Sequence, residues 1–298
     1  MLKGNVPILA SAFFENGDLD LDSIERLMKF LLSQKIDGIA LFGNASEGYA
    51  LTASEKVAII NMVKRTVGDL PVVAAAGGAS ANVAIEDINR MKELGSDVAM
   101  VNPPSVIKPG PDAVYDFFRD VCANTDIDIM VQDAPMMTGV NIPVPTLAKI
   151  CKDFDRVKYV KAEQPPTTLK ISQLAAVLDG SAVQFGGLNA GYLFEELERG
   201  VIGTMPACEF PEVINAILNA YFAGDKATAR EHFYKYLPFM RYGVQPGIGV
   251  SIHKEVLHRA GIFTTNHVRS PGKMIDQTTR DEMFAMLDEL PLAVLGQK

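Results

Sequence analysis

The chain has 298 residues, 48% hydrophobic and 21% charged, which is globular usage with enough apolar material for a sizeable core. With a net charge of −8, a pI of about 5.1 and no run of Lys or Arg, it is not built to meet nucleic acid or an anionic membrane surface. Three cysteines, Cys122, Cys151 and Cys208, are odd in number and far apart, which argues against a disulfide framework and against a CxxC metal or redox site; all three are expected to be buried.

No apolar stretch precedes Glu15 and Asp18 as a signal sequence would, and none reaches the roughly 20 residues of a membrane helix, so a soluble, cytoplasmic protein is expected. Val6 to Phe13 is a short apolar run ending in the turn Glu15-Asn16-Gly17-Asp18. Apolar residues then recur at Leu21, Ile24, Leu27, Met28, Leu31 and Leu32, the spacing of an amphipathic helix. Gly38 to Gly43 reads as a second strand, and Thr52-Ala53-Ser54-Glu55 as a capping box opening a helix that runs through Val63.

The alternation continues with strands at Pro71 to Ala76, Val98 to Val101, Ile127 to Gln132, Val157 to Glu163, Val183 to Phe185 and Val201 to Met205. Between them lie helices at Asn82 to Leu94, Ala113 to Cys122, Pro145 to Lys152, Leu169 to Leu178 and Tyr192 to Arg199. Near-continuous apolar strands are expected where both faces of a parallel sheet are covered, and eight of them alternating with helices predict an α/β fold, a (β/α)8 TIM barrel. A doubly wound sheet would carry a Gly-rich phosphate turn after the first strand, which Phe13-Phe14-Glu15-Asn16-Gly17 is not. The barrel is expected to span 1–222. Residues 223–298 are expected to be a C-terminal helical region packed on it, with helices at Lys226 to Tyr236, Val250 to Arg259 and Asp281 to Asp288.

In this fold, chemistry sits at the carboxyl ends of the strands. The second strand ends at Gly43-Asn44-Ala45-Ser46-Glu47, whose small, polar residues leave backbone N–H groups for an anion such as a carboxylate. Glu47 is expected to tie that loop down by hydrogen bonds. The sixth strand ends at Lys161-Ala162-Glu163; with a period of two, Tyr159, Lys161 and Glu163 share one face. Lys161 is a candidate amine nucleophile, since a lysine can condense with a ketone to an imine that acts as an electron sink. A lysine that attacks must first be neutral, and bringing an ordinary value of ~10.4 near 7 takes roughly 4 to 5 kcal/mol of desolvation. Leu41, Met130, Tyr159 and Met205 are expected to supply that apolar setting. His232, His253, His258 and His267 all fall in the helical tail as surface or packing residues, Tyr49 is expected to pack, and no metal or cofactor is expected.

Several motifs carry a resemblance. Gly43-x-x-x-Glu47 followed by Leu51-Thr52, Val101-Asn102-Pro103-Pro104, Pro135 with Thr138-Gly139, Lys161, Gly200-Val201-Ile202-Gly203-Thr204, Lys254-Glu255-Val256-Leu257 and Arg269-Ser270-Pro271 stand in matching order over nearly the whole chain. The sequence resembles the dihydrodipicolinate synthase and N-acetylneuraminate lyase superfamily of Schiff-base aldolases and dehydratases. The resemblance implies that Lys161 forms the imine, that Gly43 to Glu47 and Gly203 bind substrate, and that the chain is a homotetramer.

The departures are chemical. Where the family's synthases and sialic-acid lyases carry a tyrosine three residues before the proline of the fifth strand, this chain has Gln132; an amide cannot take up and return a proton as a phenol can. Asn44 replaces a hydroxyl residue, Pro104-Ser105 a proline-tyrosine pair, and Met137 the arginine that meets the semialdehyde carboxylate. The combination of Val131-Gln132-Asp133-Ala134-Pro135, Ser46-Glu47, Lys161-Ala162-Glu163 with Pro165, and Gly203-Thr204-Met205 looks more like the 2-keto-3-deoxy sugar acid dehydratases, particularly the L-2-keto-3-deoxyarabonate branch. That resemblance implies a lyase on a 2-keto acid with Lys161 as the nucleophile. From its place on the same strand face Glu163 is expected to be either the acid or base or a charge partner that only keeps Lys161 protonated, and Gln132 to orient a hydroxyl or water. Three alternatives stand beside it: a retro-aldolase releasing pyruvate, a dihydrodipicolinate synthase-like condensation, and a keto-acid binder without turnover.

Overall fold

The computed structural model describes residues 1–296. Among these, the strands are β1 (Gly4–Asn5), β2 (Ile39–Leu41), β3 (Val72–Ala75), β4 (Val98–Val101), β5 (Asp128–Asp133), β6 (Val157–Ala162), β7 (Val183–Phe185) and β8 (Gly203–Thr204). The helices are α1 (Leu21–Ser33), α2 (Ala53–Thr66), α3 (Ala81–Glu93), α4 (Pro111–Asn124), α5 (Pro135–Thr138), α6 (Val144–Asp153), α7 (Thr167–Leu178), α8 (Leu193–Leu197), α9 (Pro211–Phe222), α10 (Lys226–Tyr242), α11 (Gly249–Arg259) and α12 (Gln277–Glu289). No helix among the described residues is long and apolar enough to cross a membrane. Contacts divide the chain into two units, one made of 1–70, 188–194 and the segment from Met205 onward, the other of 71–187 and 195–204.

The second unit carries the regular sheet. Strands β3 to β7 are neighbours in sequence order and parallel, and Gly186 bridges to Thr204 so that β8 follows β7. Val98, Ala99, Met100 and Val101 are all buried, as is every residue of β5 after Asp128. Helices cover this sheet with apolar faces at i, i+3, i+4 and i+7: Val114, Phe117, Phe118 and Val121 of α4 are buried, as are Ile171, Leu174 and Leu178 of α7. Pro111 opens α4 at a position whose N–H would have no intrahelical partner.

In the first unit, Asp20 caps α1 by accepting from Ser23 N, and α1 buries Ile24, Leu27, Met28 and Leu31. The Thr52–Glu55 capping box forms: Glu55 N donates to the Thr52 hydroxyl at 3.3 Å and Thr52 N to the Glu55 carboxylate at 2.8 Å. The first strand is shorter than its apolar run suggests. Beyond Asn5 the run makes isolated bridges, Ile8 to Ala40 and Phe13 to Leu19, and Pro7 carries no N–H for a continuous ladder. α10 runs six residues beyond the expected Tyr236, through Pro238. Cys122 is half-buried rather than buried, since it lies late on α4 outside the apolar face that Val121 closes. Tyr49 does not pack either; it is 52% exposed.

Candidate active site

Register brings the predicted residues of the second unit into one row. Gln132 of β5 pairs with Lys161 of β6, and Lys161 with Phe185 of β7; one step back, Met130 pairs with Tyr159 and Tyr159 with Val183. Side chains at equal height on parallel neighbours share a face, so Lys161 stands between Gln132 and Phe185 above a floor of Met130 and Tyr159. Tyr159 and Phe185 meet edge to face with ring centroids 6.1 Å apart. Lys161 is 2% exposed, and a buried ammonium needs a partner.

Glu163, which leaves the end of β6 with its N–H on the Asp133 carbonyl, supplies one: Lys161 Nζ lies 3.2 Å from Glu163 Oε2. The same oxygen accepts from Gln132 Nε2 at 2.8 Å, and Gln132 Oε1 accepts from Asn102 Nδ2 at 3.0 Å. Because an amide has one accepting and one donating end, Asn102 turns the Gln132 carbonyl toward itself and the Gln132 NH2 toward Glu163. Asn102 Oδ1 is buried without a hydrogen-bond partner. Asn102 has no site role in the sequence reading, although it stands in the motif Val101-Asn102-Pro103-Pro104. Gly187 is a second residue the reading leaves out: a Cβ there would come within 2.4 Å of the Glu163 Cγ and Oε1, so only glycine leaves room for this carboxylate. Gly203 accepts from Gly186 N at 2.9 Å within the strand ladder.

Outside this row, Asp133 and Lys170 form a buried ion pair at 2.5 Å. Burial pushes the Asp133 carboxyl up, with Lys170 opposing; burial likewise pushes Lys170 down, with Asp133 opposing. Lys170 also donates to the Ile142 carbonyl at 2.6 Å and to the Gln164 side chain.

The predicted anion loop belongs to the first unit. Gly43 leads into a 3-10 turn over Asn44–Ser46, and Gly48 is required because a Cβ would fall 1.8 Å from the Phe42 carbonyl oxygen. Ser46 N and Gly48 N donate to the Gly43 carbonyl and Glu47 N to the Asn44 carbonyl. Of the amides from Asn44 to Glu47 expected to meet an anion, those of Ser46 and Glu47 are thus engaged inside the turn. Ser46 Oγ donates to the Leu9 carbonyl and its own carbonyl accepts from Ser11 Oγ.

Glu47 is fully buried; it pairs with the Lys254 ammonium and accepts from Arg269 N at 2.9 Å. Lys254 Nζ also donates to the His267 carbonyl at 2.7 Å and lies 4.3 Å from the Phe13 ring centroid. Burial pulls Lys254 down to about 8, against the pull of Glu47. The Arg269 guanidinium holds Glu55, whose carboxyl is lowered to about 2 mainly by that hydrogen bond, and donates to the carbonyls of Gly17 and Ala50. His253 packs in the interior of this unit, with Nδ1 2.6 Å from Glu209 Oε1.

The Dihydrodipicolinate synthetase family model matches residues 1–290. The chain is 28% identical over 299 residues to an L-2-keto-3-deoxyarabonate dehydratase of Azospirillum brasilense, covering 98% of this chain and 96% of that protein. It is 28% identical over 237 residues to a 4-hydroxy-tetrahydrodipicolinate synthase of Hydrogenobaculum sp., covering 78% of this chain and 81% of that one. Its fold is similar to crystal structures of dihydrodipicolinate synthase from Rhodopseudomonas palustris, with a TM-score of 0.90 at 24% identity over 96% of this chain and 97% of that one, and from Thermotoga maritima, with 0.90 at 25% over 97% and 98%. The fold class is the (β/α)8 barrel with C-terminal helices. The chain belongs to the Dihydrodipicolinate synthetase family and is an enzyme of its lyases.

Proposed function

We propose that the protein dehydrates a 2-keto-3-deoxy sugar acid through an imine on Lys161. The observation that carries this reading is the row Asn102–Gln132–Glu163–Lys161, in which an amide and a carboxylate surround the amine where synthases and sialic-acid lyases of the family carry a phenol. Similarity to a dehydratase over nearly the full length of both chains supports it.

Glu163 Oε2, 3.2 Å from Nζ, takes the ammonium proton, and the free amine attacks the keto carbon. Glu163 passes the proton to the carbinol oxygen, which leaves as water, so that the protonated imine forms with Glu163 again a carboxylate. The resulting imine draws electrons from the neighbouring C–H. Glu163 removes that proton, the enamine expels the beta hydroxyl as water with a proton returned from Glu163, and hydrolysis frees product and lysine. Gln132, its NH2 fixed on Glu163, holds the carboxylate in place during both transfers. By sequence resemblance, the substrate carboxylate falls to the Gly43–Glu47 loop.

The test is a panel of 2-keto-3-deoxy acids assayed for water loss and for pyruvate release, with borohydride reduction in the presence of pyruvate read by intact mass. Water loss without pyruvate, and an adduct on Lys161 that Lys161→Ala abolishes, is the expected result. Pyruvate release would move the reading to the retro-aldolase. An unmodified Lys161 would remove the imine.

A further inference from the structure

Asn102 spends little of its hydrogen-bonding capacity. Its amide gives one N–H to Gln132 Oε1 at 3.0 Å, while Oδ1 is buried with no partner among the described residues. An acceptor left unpaired in the row that surrounds Lys161 needs a donor that the fold does not supply.

The neighbouring strand shows where that donor has room. Ala75 of β3 pairs with Met100, and Ala76 N donates to the Met100 carbonyl, so Gly77, two residues after Ala75, comes level with Asn102 and shares its face. Ala74 and Ala76, on the other face, are buried, whereas Ala75, Gly77 and Asn102 are only half-buried. A Cβ on Gly77 would meet nothing within 4 Å, and its φ lies outside the left-handed region. Neither backbone nor packing therefore demands a glycine there. The inner face of β3 borders open space beside Asn102.

We propose, building on the dehydratase reading, that Asn102 selects the substrate: its amide binds the hydroxyl one carbon beyond the carbon that loses water, and the space over Ala75 and Gly77 takes the rest of the chain. Only β5 separates Lys161 from Asn102, a backbone span of roughly 9 to 10 Å. A 2-keto acid fixed to Nζ by its second carbon brings the leaving C4 hydroxyl toward Gln132, and carries its C5 hydroxyl further along the row toward Asn102. A hydroxyl there can give its proton to Oδ1 and leave the bond from Asn102 to Gln132 intact. A carboxylate has no proton to give, and a methyl group leaves the oxygen unpaired. The substrate class is a 2-keto-3-deoxy acid that carries hydroxyls on both C4 and C5.

The probes are 2-keto-3-deoxypentonate and 4-hydroxy-2-ketopentanoate, the same acid without the C5 hydroxyl. Wild type should prefer the first by about tenfold in kcat/KM, the value of one neutral hydrogen bond, and Asn102→Leu should treat the two alike. The looser Gln132 of that variant slows both acids equally and cancels in the ratio. A wild type without the preference, or a preference that survives Asn102→Leu, overturns the proposal. Gly77→Ala should lower kcat/KM for the six-carbon 2-keto-3-deoxyhexonate about tenfold more than for the five-carbon acid; equal losses count against the place given to the chain.

Water loss and pyruvate release serve equally to measure these ratios. If neither occurs, the dehydratase reading fails, and titration calorimetry of wild type and Asn102→Leu with the same two acids still judges Asn102: a tenfold difference in Kd that the variant loses supports it, and equal binding or none overturns it.

Discussion

Replacing Glu47 with glutamine removes one negative charge from a fully buried place and leaves its neighbours with the same shape. Lys254 then loses the group that holds its proton, while the His267 carbonyl and the Phe13 ring remain. Removing one member of a buried pair commonly costs about 3–5 kcal/mol when the other stays charged. Lys254 has a cheaper course, because burial already brings it from 10.5 to about 8. Without Glu47 it goes lower still and folds as the neutral amine.

The cost is then the proton affinity that wild-type Lys254 has and the variant lacks, about 1.4 kcal/mol for each pH unit below about 8. In the unfolded chain the lysine is protonated throughout this range. Over the same range the wild-type group is charged in both states and adds no pH dependence, whereas the variant folds neutral and so gains stability as the pH rises. Glu47→Gln should therefore cost about 1 to 2 kcal/mol near pH 7 and about 3 near pH 6, with the charge contribution vanishing above about pH 8.5. Urea unfolding of both proteins at these pH values measures it. A cost that is constant with pH, or larger on the alkaline side, would refute the reasoning.

Glu163→Gln keeps the side-chain shape and removes the proton acceptor; kcat should drop about 10²- to 10⁴-fold, measured as water loss. Gly187→Ala places a methyl group 2.4 Å from Glu163 Cγ, so the carboxylate must move from Lys161; about a hundredfold loss of kcat is expected with an unchanged far-ultraviolet circular dichroism spectrum. Asn102→Leu frees the Gln132 amide to turn its carbonyl toward Glu163, and steady-state kinetics should show about a tenfold fall in kcat, the equivalent of one hydrogen bond of about 1 to 1.5 kcal/mol.

The parallel strands are legible in the sequence because both their faces are covered: Val98-Ala99-Met100-Val101 has no polar position to blur it. The first strand is overread for the converse reason. Val6 to Phe13 is apolar enough for a strand, but a ladder also needs donors, and Pro7 has none. The period of two puts Lys161 and Glu163 together from sequence alone. Asn102 reaches Gln132 only because β4 and β5 align with Val101 opposite Val131, and no local pattern encodes the register between strands thirty residues apart. Gly187 is silent for the same reason, since its meaning lies in which carboxylate arrives beside a strand end. The small, polar residues of the loop at 43–47 suggest open amides, but the chain closes two of them into its own turn.

Lys170 sits in the first turns of α7 and is tied at once to Asp133 at the tip of β5, to the Ile142 carbonyl before α6, and to Gln164 ahead of its own helix. Three stretches that are separate in sequence, the tip of β5, the approach to α6 and the start of α7 with the residues just before it, are thereby fastened by one ammonium group. They should breathe as one cooperative element: amide protons in the first turn of α7 should exchange with solvent at the same opening frequency as those at the end of β5, and both more slowly than the exposed surface of α7 alone would suggest. The strand tip that carries Gln132 is then as rigid as the helix to which Lys170 ties it.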